Sequence, residues 1–226
     1  MTIYLTRHGL REDWINKLWR STALRPSDPP LSARGFHIAK ELGIFSKTLG
    51  LKHIISSPME RCIQTSTAIA DELDLPIKID YGVIEWVGPN PKPDDILTPL
   101  SNEELKLKYP RIDLGYQSTT NVIPTKETIE ELHFRTKIAV DQIIKKYKDD
   151  GPIIIVSHAA TMIALGRGIL NDNQAPLRSG VCSLTKFNLN PSQNEWELEY
   201  TGKADYMEEG EQSHWTFKRP VIENSQ

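Results

Sequence analysis

The chain is predicted to be an α/β protein, a three-layer α/β/α sandwich with a mainly parallel sheet and an antiparallel edge hairpin. Short β-branched runs at residues 3–6, His53–Ser56, Ile77–Ile79 and Ile153–Ser157 alternate with longer stretches of helical periodicity, the pattern of a parallel sheet covered on both faces. Two further apolar runs, residues 181–189 and 196–200, are separated only by Asn190-Pro191-Ser192-Gln193-Asn194, which is hairpin spacing with turn residues. Two of the runs stop at a histidine, His8 and His158. In open α/β sheets, ligands bind outside the carboxyl ends of the strands.

Composition narrows the function classes. The 226 residues, 38% hydrophobic, suit one α/β domain spanning 1–226, with an insertion at about 86–124 and a C-terminal extension from about 203. A formal charge of −3 argues against a general nucleic-acid surface, so no direct nucleic-acid partner is expected. Two cysteines, Cys62 and Cys182, and the lack of a signal-type apolar run at the start point to an intracellular protein, cytoplasmic or nuclear. No stretch approaches the roughly 18 uninterrupted apolar residues of a membrane span, so no membrane partner is expected.

Taken in order, the first strand, residues 3–6, leads to Arg7-His8-Gly9 and then to a long polar and aromatic loop through Trp14, Trp19 and the proline-rich residues 25–30. Ser32 is placed to cap a helix carrying Ile38, Leu42 and Phe45 on one face and ending near Gly50. After the strand His53–Ser56, Ser57 suits a helix cap and Pro58 the first helical turn, with Arg61, Thr65 and Ile69 following to about Leu73. The strand Ile77–Ile79 leads to Glu85, a carboxylate flanked by Ile84 and Trp86. That setting predicts partial desolvation and a raised pKa. Residues 88–124 are proline-rich and polar with one helical candidate at 102–109, an insertion near the functional edge of the sheet. Thr125 opens the longest amphipathic helix, with Ile129, Leu132, Ile138, Ile143 and Ile144 inward and Gly151-Pro152 as its stop. The strand Ile153–Ser157 and a helix from Ala159 to Leu170 follow, and then the hairpin. Beyond it the chain is polar and acidic apart from His214-Trp215-Thr216-Phe217, which can dock back.

The strand ends and loop starts carry Arg7, His8, Arg11, Arg61, Glu85 and His158. Three guanidiniums and two imidazoles with one carboxylate suit a phosphate group, whose oxygens match arginine forks. A metal centre fits poorly, because the sequence has no H-x-x-x-H or cysteine pair and arginines repel a cation. No G-x-S-x-G elbow supports a serine triad. The plainer alternatives are that Arg11 is a loop salt-bridge partner, that Glu85 is a structural ion pair, and that Trp14, Trp19, Trp86 and Trp215 serve packing.

These residues carry a resemblance. Thr6-Arg7-His8-Gly9 with Arg11, Ser56-Ser57-Pro58 with Arg61 and Thr65, Glu85-Trp86, and Ser157-His158-Ala159 are similar to the ordered motifs of the histidine phosphatase superfamily, the phosphoglycerate-mutase-like proteins. Within that superfamily the likeness is to the branch reading RHGxR. It runs closest to the histidine-phosphatase domain of a subunit of the fungal RNA polymerase III factor TFIIIC, extending to Pro91-Lys92-Pro93, Arg178-Ser179-Gly180 and Trp215-Thr216-Phe217. The resemblance implies that His8 attacks phosphorus and becomes phosphohistidine, and that Arg7, Arg61 and His158 hold the phosphate with Arg11 enlarging the pocket. Glu85 then protonates the leaving oxygen and activates water. It implies a metal-independent phosphatase with no cofactor, acting on a small phosphorylated substrate or phosphopeptide, with protein partners in a transcription complex as the alternative role. The mutases read E-S-x-W-N after RHG where this chain has Leu10-Arg11-Glu12-Asp13-Trp14, which favours hydrolysis over transfer.

Overall fold

The computed structural model describes residues 1–217. Six strands, β1 (Thr2–Arg7), β2 (His53–Ser56), β3 (Ile77–Ile79), β4 (Ile153–Ser157), β5 (Leu184–Asn190) and β6 (Glu195–Lys203), form one sheet in the order β3-β2-β4-β1-β5-β6. The first four are parallel, while β5 runs antiparallel to β1 and pairs with β6 as the edge hairpin. Helices cover both faces, which gives the expected three layers.

The period-two alternation of each strand decides which layer a side chain joins. Tyr4, Ile54, Ile154 and Val156 pack against α3 (Ala33–Ser46) and α4 (Glu60–Leu73), whereas Ile3, Leu5, Ile153 and Ile155 pack against α6 (Ile129–Tyr147) and α7 (Ala159–Leu170). Both faces of β4 are fully buried, so its Ile-Ile-Ile-Val run needs no polar alternation. Each fully buried isoleucine contributes about 1.5–3 kcal/mol relative to exposure.

Several helix boundaries differ from the sequence expectation. Ser32 caps α3 by accepting from Gly35 N at 3.1 Å, as expected. The cap of α4 is Met59, not Ser57; the Ser57 hydroxyl is engaged elsewhere, as described below. The long helix α6 begins at Ile129, capped by Thr128 in a reciprocal box with Glu131. Thr125 therefore lies outside it. Ile129 and Ile138 are 40% and 43% exposed rather than inward, because the inner face of the helix carries Leu132, Thr136, Ala139, Val140 and Ile143. The loop after β1 holds two single-turn helices, α1 (Glu12–Ile15) and α2 (Trp19–Thr22). The insertion contains α5 (Asn102–Lys108). Its first half faces the sheet's carboxyl edge, while its second half runs along β3, with Asp113 N donating to Ile77 O at 2.8 Å and Ile77 N to Arg111 O at 2.8 Å. Among the described residues no helix is long and apolar enough to cross a membrane.

Candidate active site

Strand order places the motif residues together. Because β4 lies between β2 and β1, their carboxyl ends are adjacent, with Arg7 in register with Ser157 and Ser56 with Val156. The ladder continues one step past the strands, through His8 N to Ser157 O at 3.0 Å and Ser57 N to Val156 O at 3.0 Å. His8, Ser57 and His158 thus leave the sheet side by side. The turn after β1 runs close to α3: a Cβ on Gly9 would sit 2.7 Å from Gly35 O, so only a glycine fits there. Thr65 on α4 ties the same turn to the helix, accepting from Gly9 N at 3.1 Å and donating to Arg61 O at 2.8 Å.

His8 is 1% exposed. Its Nδ1 lies 2.7 Å from Gly9 O. A carbonyl can only accept, so Nδ1 carries the proton and Nε2 keeps its lone pair. Burial, then Arg61, His158 and Arg7, hold His8 well below the ordinary histidine value. The His158 ring stands edge-on at 5.3 Å between centroids. Its Nε2 meets the Ser57 hydroxyl at 2.7 Å, and its Nδ1 lies 3.2 Å from both Glu85 Oε2 and Arg61 Nη2. Burial pushes His158 down to about 4, against partial opposition from Glu85.

The arginines divide into tied and open groups. Arg7 Nη1 donates to Ser179 O at 3.1 Å and Ser213 O at 2.7 Å, and burial pushes its guanidinium down to about 10, still cationic at neutral pH. Arg61 is almost wholly buried, 3.4 Å from Glu85 Oε2 through Nη2 and 3.7 Å from Asp28 Oδ1 through Nη1. Arg7 Nε, Arg61 Nε and Arg61 Nη1 are buried donors with no hydrogen-bond partner in the protein. Arg11 combines the two sequence readings, a loop salt-bridge partner and a pocket residue. Its fork is bidentate to Asp13 at 2.8 and 2.5 Å, although it still lines a cavity of about 280 Å³ with Arg61, Glu85, Trp86 and Arg20. Trp14 lies against both the Arg7 and Arg11 guanidiniums, at 5.1 and 5.4 Å.

Glu85 departs from its expected electrostatics. Burial alone raises its carboxyl, but His158, Arg61 and Arg11 outweigh that and hold it well below the usual carboxylate range. Where His158 is itself neutral it acts on the carboxylate through its Nδ1 contact at 3.2 Å, and the permanent charges of Arg61 and Arg11 add to that. The side chain keeps 23% of its exposure, so it faces both the arginines and the cavity. Its loop is clamped from behind. Arg135, bidentate to Glu127 at 2.6 and 2.7 Å, donates to Gly82 O at 2.9 Å, Thr161 Oγ1 donates to Ile84 O at 3.0 Å, and Trp86 Nε1 donates to Glu127 O at 3.1 Å.

All six residues singled out by sequence therefore meet at one edge. Sequence reasoning missed Ser57 as a partner of His158, Asp28 beside Arg61, and the Arg135 and Thr161 clamp. The fold also creates a grouping that sequence spacing hides: His8, Glu85 and His158 offer ligand atoms within 4.8 Å of one another. A cation there would sit against Arg61, and that repulsion disfavours it.

The two buried histidines predict an acid sensitivity. Both stay neutral in the fold while an unfolded chain protonates its histidines below about pH 6.5. Their contribution to stability is thus full above that pH and is lost as pH falls towards 4, by up to about 1.4 kcal/mol per pH unit for each. Urea midpoints should drop between pH 7.5 and 5, and His158→Asn should flatten the slope. Equal midpoints in wild type would refute neutral burial.

Comparison with known proteins matches this geometry to a family. The profile of the "Histidine phosphatase superfamily (branch 1)" matches residues 3–201. The "Transcription factor tau 55 kDa subunit" of Saccharomyces cerevisiae is 30% identical over 96% of this chain, and the chain spans 58% of that protein. The "Ecdysteroid-phosphate phosphatase" of the silkworm Bombyx mori is 29% identical over 60% of the chain, which spans 21% of it. A crystal structure of the silkworm ecdysone phosphate phosphatase superposes with a TM-score of 0.72 at 20% identity, covering 88% of this chain and 92% of that one. The fold is thus phosphoglycerate-mutase-like, with phosphatases as structural neighbours, and the chain belongs to branch 1 of the histidine phosphatase superfamily.

Proposed function

We propose that the chain is a phosphomonoester phosphatase that works through phosphohistidine on His8. The observation that carries this reading is the pairing of a buried imidazole, its Nδ1–H held on Gly9 O, with the unpartnered donors of Arg7 and Arg61. Three buried guanidinium N–H groups without acceptors cost free energy unless an anion meets them. A phosphate monoester supplies the oxygens and brings phosphorus to the free Nε2.

In the first step the Nε2 lone pair forms the N–P bond as the P–O bond to the leaving group breaks, and the departing oxygen takes, through Glu85, the proton that the substrate monoanion carried in. In the second, Glu85 accepts a proton from water, the new P–O bond forms, and the N–P pair returns to Nε2. Arg7, Arg61 and His158 hold the equatorial oxygens, where charge stabilisation and positioning supply most of the catalysis. Arg11, fixed on Asp13, contributes its charge to the cavity wall. The silkworm neighbour was solved in complex with tungstate, a tetrahedral oxyanion, which supports an oxyanion as the kind of ligand this fold takes.

A second reading is favoured by the yeast relative, a transcription-factor subunit similar over nearly the whole chain. In that reading the domain is an interaction subunit in the nucleus, with the phosphatase site secondary. One experiment separates the two. Purified protein should hydrolyse p-nitrophenyl phosphate, and should do so undiminished in EDTA, because no step needs a Lewis acid. A well-folded protein that is inert yet captures RNA polymerase III factor subunits would establish the second reading. Activity lost to EDTA and restored by zinc or magnesium would move the chemistry to the His8–Glu85–His158 grouping.

A further inference from the structure

Among the described residues, five other than glycine have a left-handed backbone: Asp74, Asn171, Cys182, Asn194 and Ser213. Asp74 and Asn171 close helices, and Asn194 lies in the β5–β6 turn, where that conformation is ordinary. Cys182 is the third residue of the Gly180–Ser183 turn, closed by Ser183 N donating to Gly180 O at 3.2 Å, whereas Ser213 lies in a bend; both bond Arg7. Cys182 N donates to Arg7 O at 2.9 Å, and Ser213 O accepts from Arg7 Nη1 at 2.7 Å. Strained residues of this kind persist only where the surroundings fix them.

The surroundings of Ser213 are unusually complete for a segment that follows the last strand. Residues 211–217 run back along residues 178–181. Val181 N donates to Gln212 O at 3.0 Å, Ser179 N to His214 Nδ1 at 3.2 Å, and Ser179 Oγ to Trp215 O at 2.6 Å, while Arg178 Nε pairs with Glu211 at 2.8 Å. Beyond Trp215 the segment reaches the other side of the site. Trp215 and Phe217 pack with Trp86 over Leu132, Ala160 and Ala164, the Phe217 ring standing edge-on to Trp86 at 5.9 Å. Trp86 is covalently next to Glu85, and its N–H donates to Glu85 Oε1 at 3.0 Å.

We propose that residues 211–217 form a positioning strap for the phosphate site, whose Ser213 carbonyl aims the Arg7 guanidinium and whose Phe217 ring seats Trp86 beside Glu85. With Nη1 anchored on two carbonyls from separate segments, Arg7 cannot swing, and its Nε is left as a buried donor. A guanidinium pre-oriented in this way loses little side-chain freedom when an oxyanion arrives. The strap rests on the reading of Arg7 as a phosphate ligand, and it adds that the ligand's aim is set from the far end of the chain.

The test reads oxyanion affinity apart from turnover. Proline cannot adopt the φ of +49° at Ser213, so Ser213→Pro should weaken the binding of inorganic phosphate, measured by calorimetry, about tenfold. Ser213→Gly, which relieves the backbone, should bind like wild type. Should the proline variant fail to fold, Ser179→Ala loosens the strap by deleting one hydrogen bond to Trp215 O, and should weaken phosphate binding by a smaller factor while the protein still unfolds in a single cooperative transition, with Tm lowered by a few degrees. Phe217→Ala should leave phosphate affinity near wild type and lower kcat on an alkyl phosphate, with Phe217→Leu restoring it. Phosphate affinities of Ser213→Pro and Ser179→Ala equal to wild type would overturn the strap alone. Wild type that does not bind phosphate would overturn the reading of the site and the strap with it.

Discussion

His8→Ala should remove covalent phosphate labelling and lower turnover on the order of 10⁴-fold or more, since a lost nucleophile leaves only binding and electrostatic stabilisation. The structure gives the reason in three parts. Nδ1–H is fixed on Gly9 O, burial and the neighbouring cations keep the ring neutral, and Arg7 and Arg61 hold unpartnered donors at the same edge. His158 does not offer the same combination, because in the free site its ring nitrogens meet Ser57, Glu85 and Arg61, and in the proposed bound state it serves as a phosphate ligand. Rapid acid-free quench after mixing with ³²P-labelled substrate should label wild type and not the variant. A folded His8→Ala protein that turns over like wild type would end the phosphohistidine mechanism.

The sheet and its active edge were legible because they follow from periodicity. β1, β2, β3 and β4 are short apolar runs whose ends carry charged or polar residues, and the parallel arrangement is forced by the helices between them. That Arg7, His8 and His158 should meet required only that their strands be neighbours. The order β2-β4-β1 satisfies this.

What was not legible depended on which of two partners a side chain finds in three dimensions. Ser57 precedes a proline and a helix, which is cap grammar, yet its hydroxyl bonds His158 at 2.7 Å and Met59 takes the cap position. Local capping offers about 1 kcal/mol, and a buried imidazole nitrogen left without a partner costs at least as much. For Arg11 the sequence offered both a pocket role and a loop salt bridge, and only the structure shows that it has both, bidentate to Asp13 while lining the cavity. Glu85 was misjudged for the same reason. Its neighbours in sequence, Ile84 and Trp86, are apolar, whereas its neighbours in space are Arg61 and His158. Sequence adjacency carries the desolvation but not the charges that outweigh it.

That correction sharpens the last prediction. An ionised Glu85 cannot act as an acid, so the free site stands in the wrong protonation state until substrate arrives. A phosphate monoester bound as the monoanion carries a proton of its own, and once that proton passes to Glu85 the resulting dianion takes up the Arg61 donors and holds negative charge beside the carboxyl, cancelling the field that lowers it and leaving the burial that raises it. The proton then comes with the substrate. For an alkyl phosphate, kcat/KM should fall as pH rises above the second phosphate pKa, about 6, because only the monoanion brings the proton that Glu85 passes to the leaving oxygen. A p-nitrophenolate departs almost unaided and should show little of this dependence. Glu85→Gln should accordingly slow phosphoenzyme formation from an alkyl phosphate on the order of 10²-fold more than from p-nitrophenyl phosphate, the low end of what general acid catalysis supplies. The comparison belongs on the pre-steady-state burst, since in the proposed mechanism the same carboxylate activates the water that clears the phosphoenzyme. Equal slowing for both substrates would leave Glu85 as an anchor for Arg61 and His158, with the acid to be sought on the cavity wall at Asp94 and Asp95.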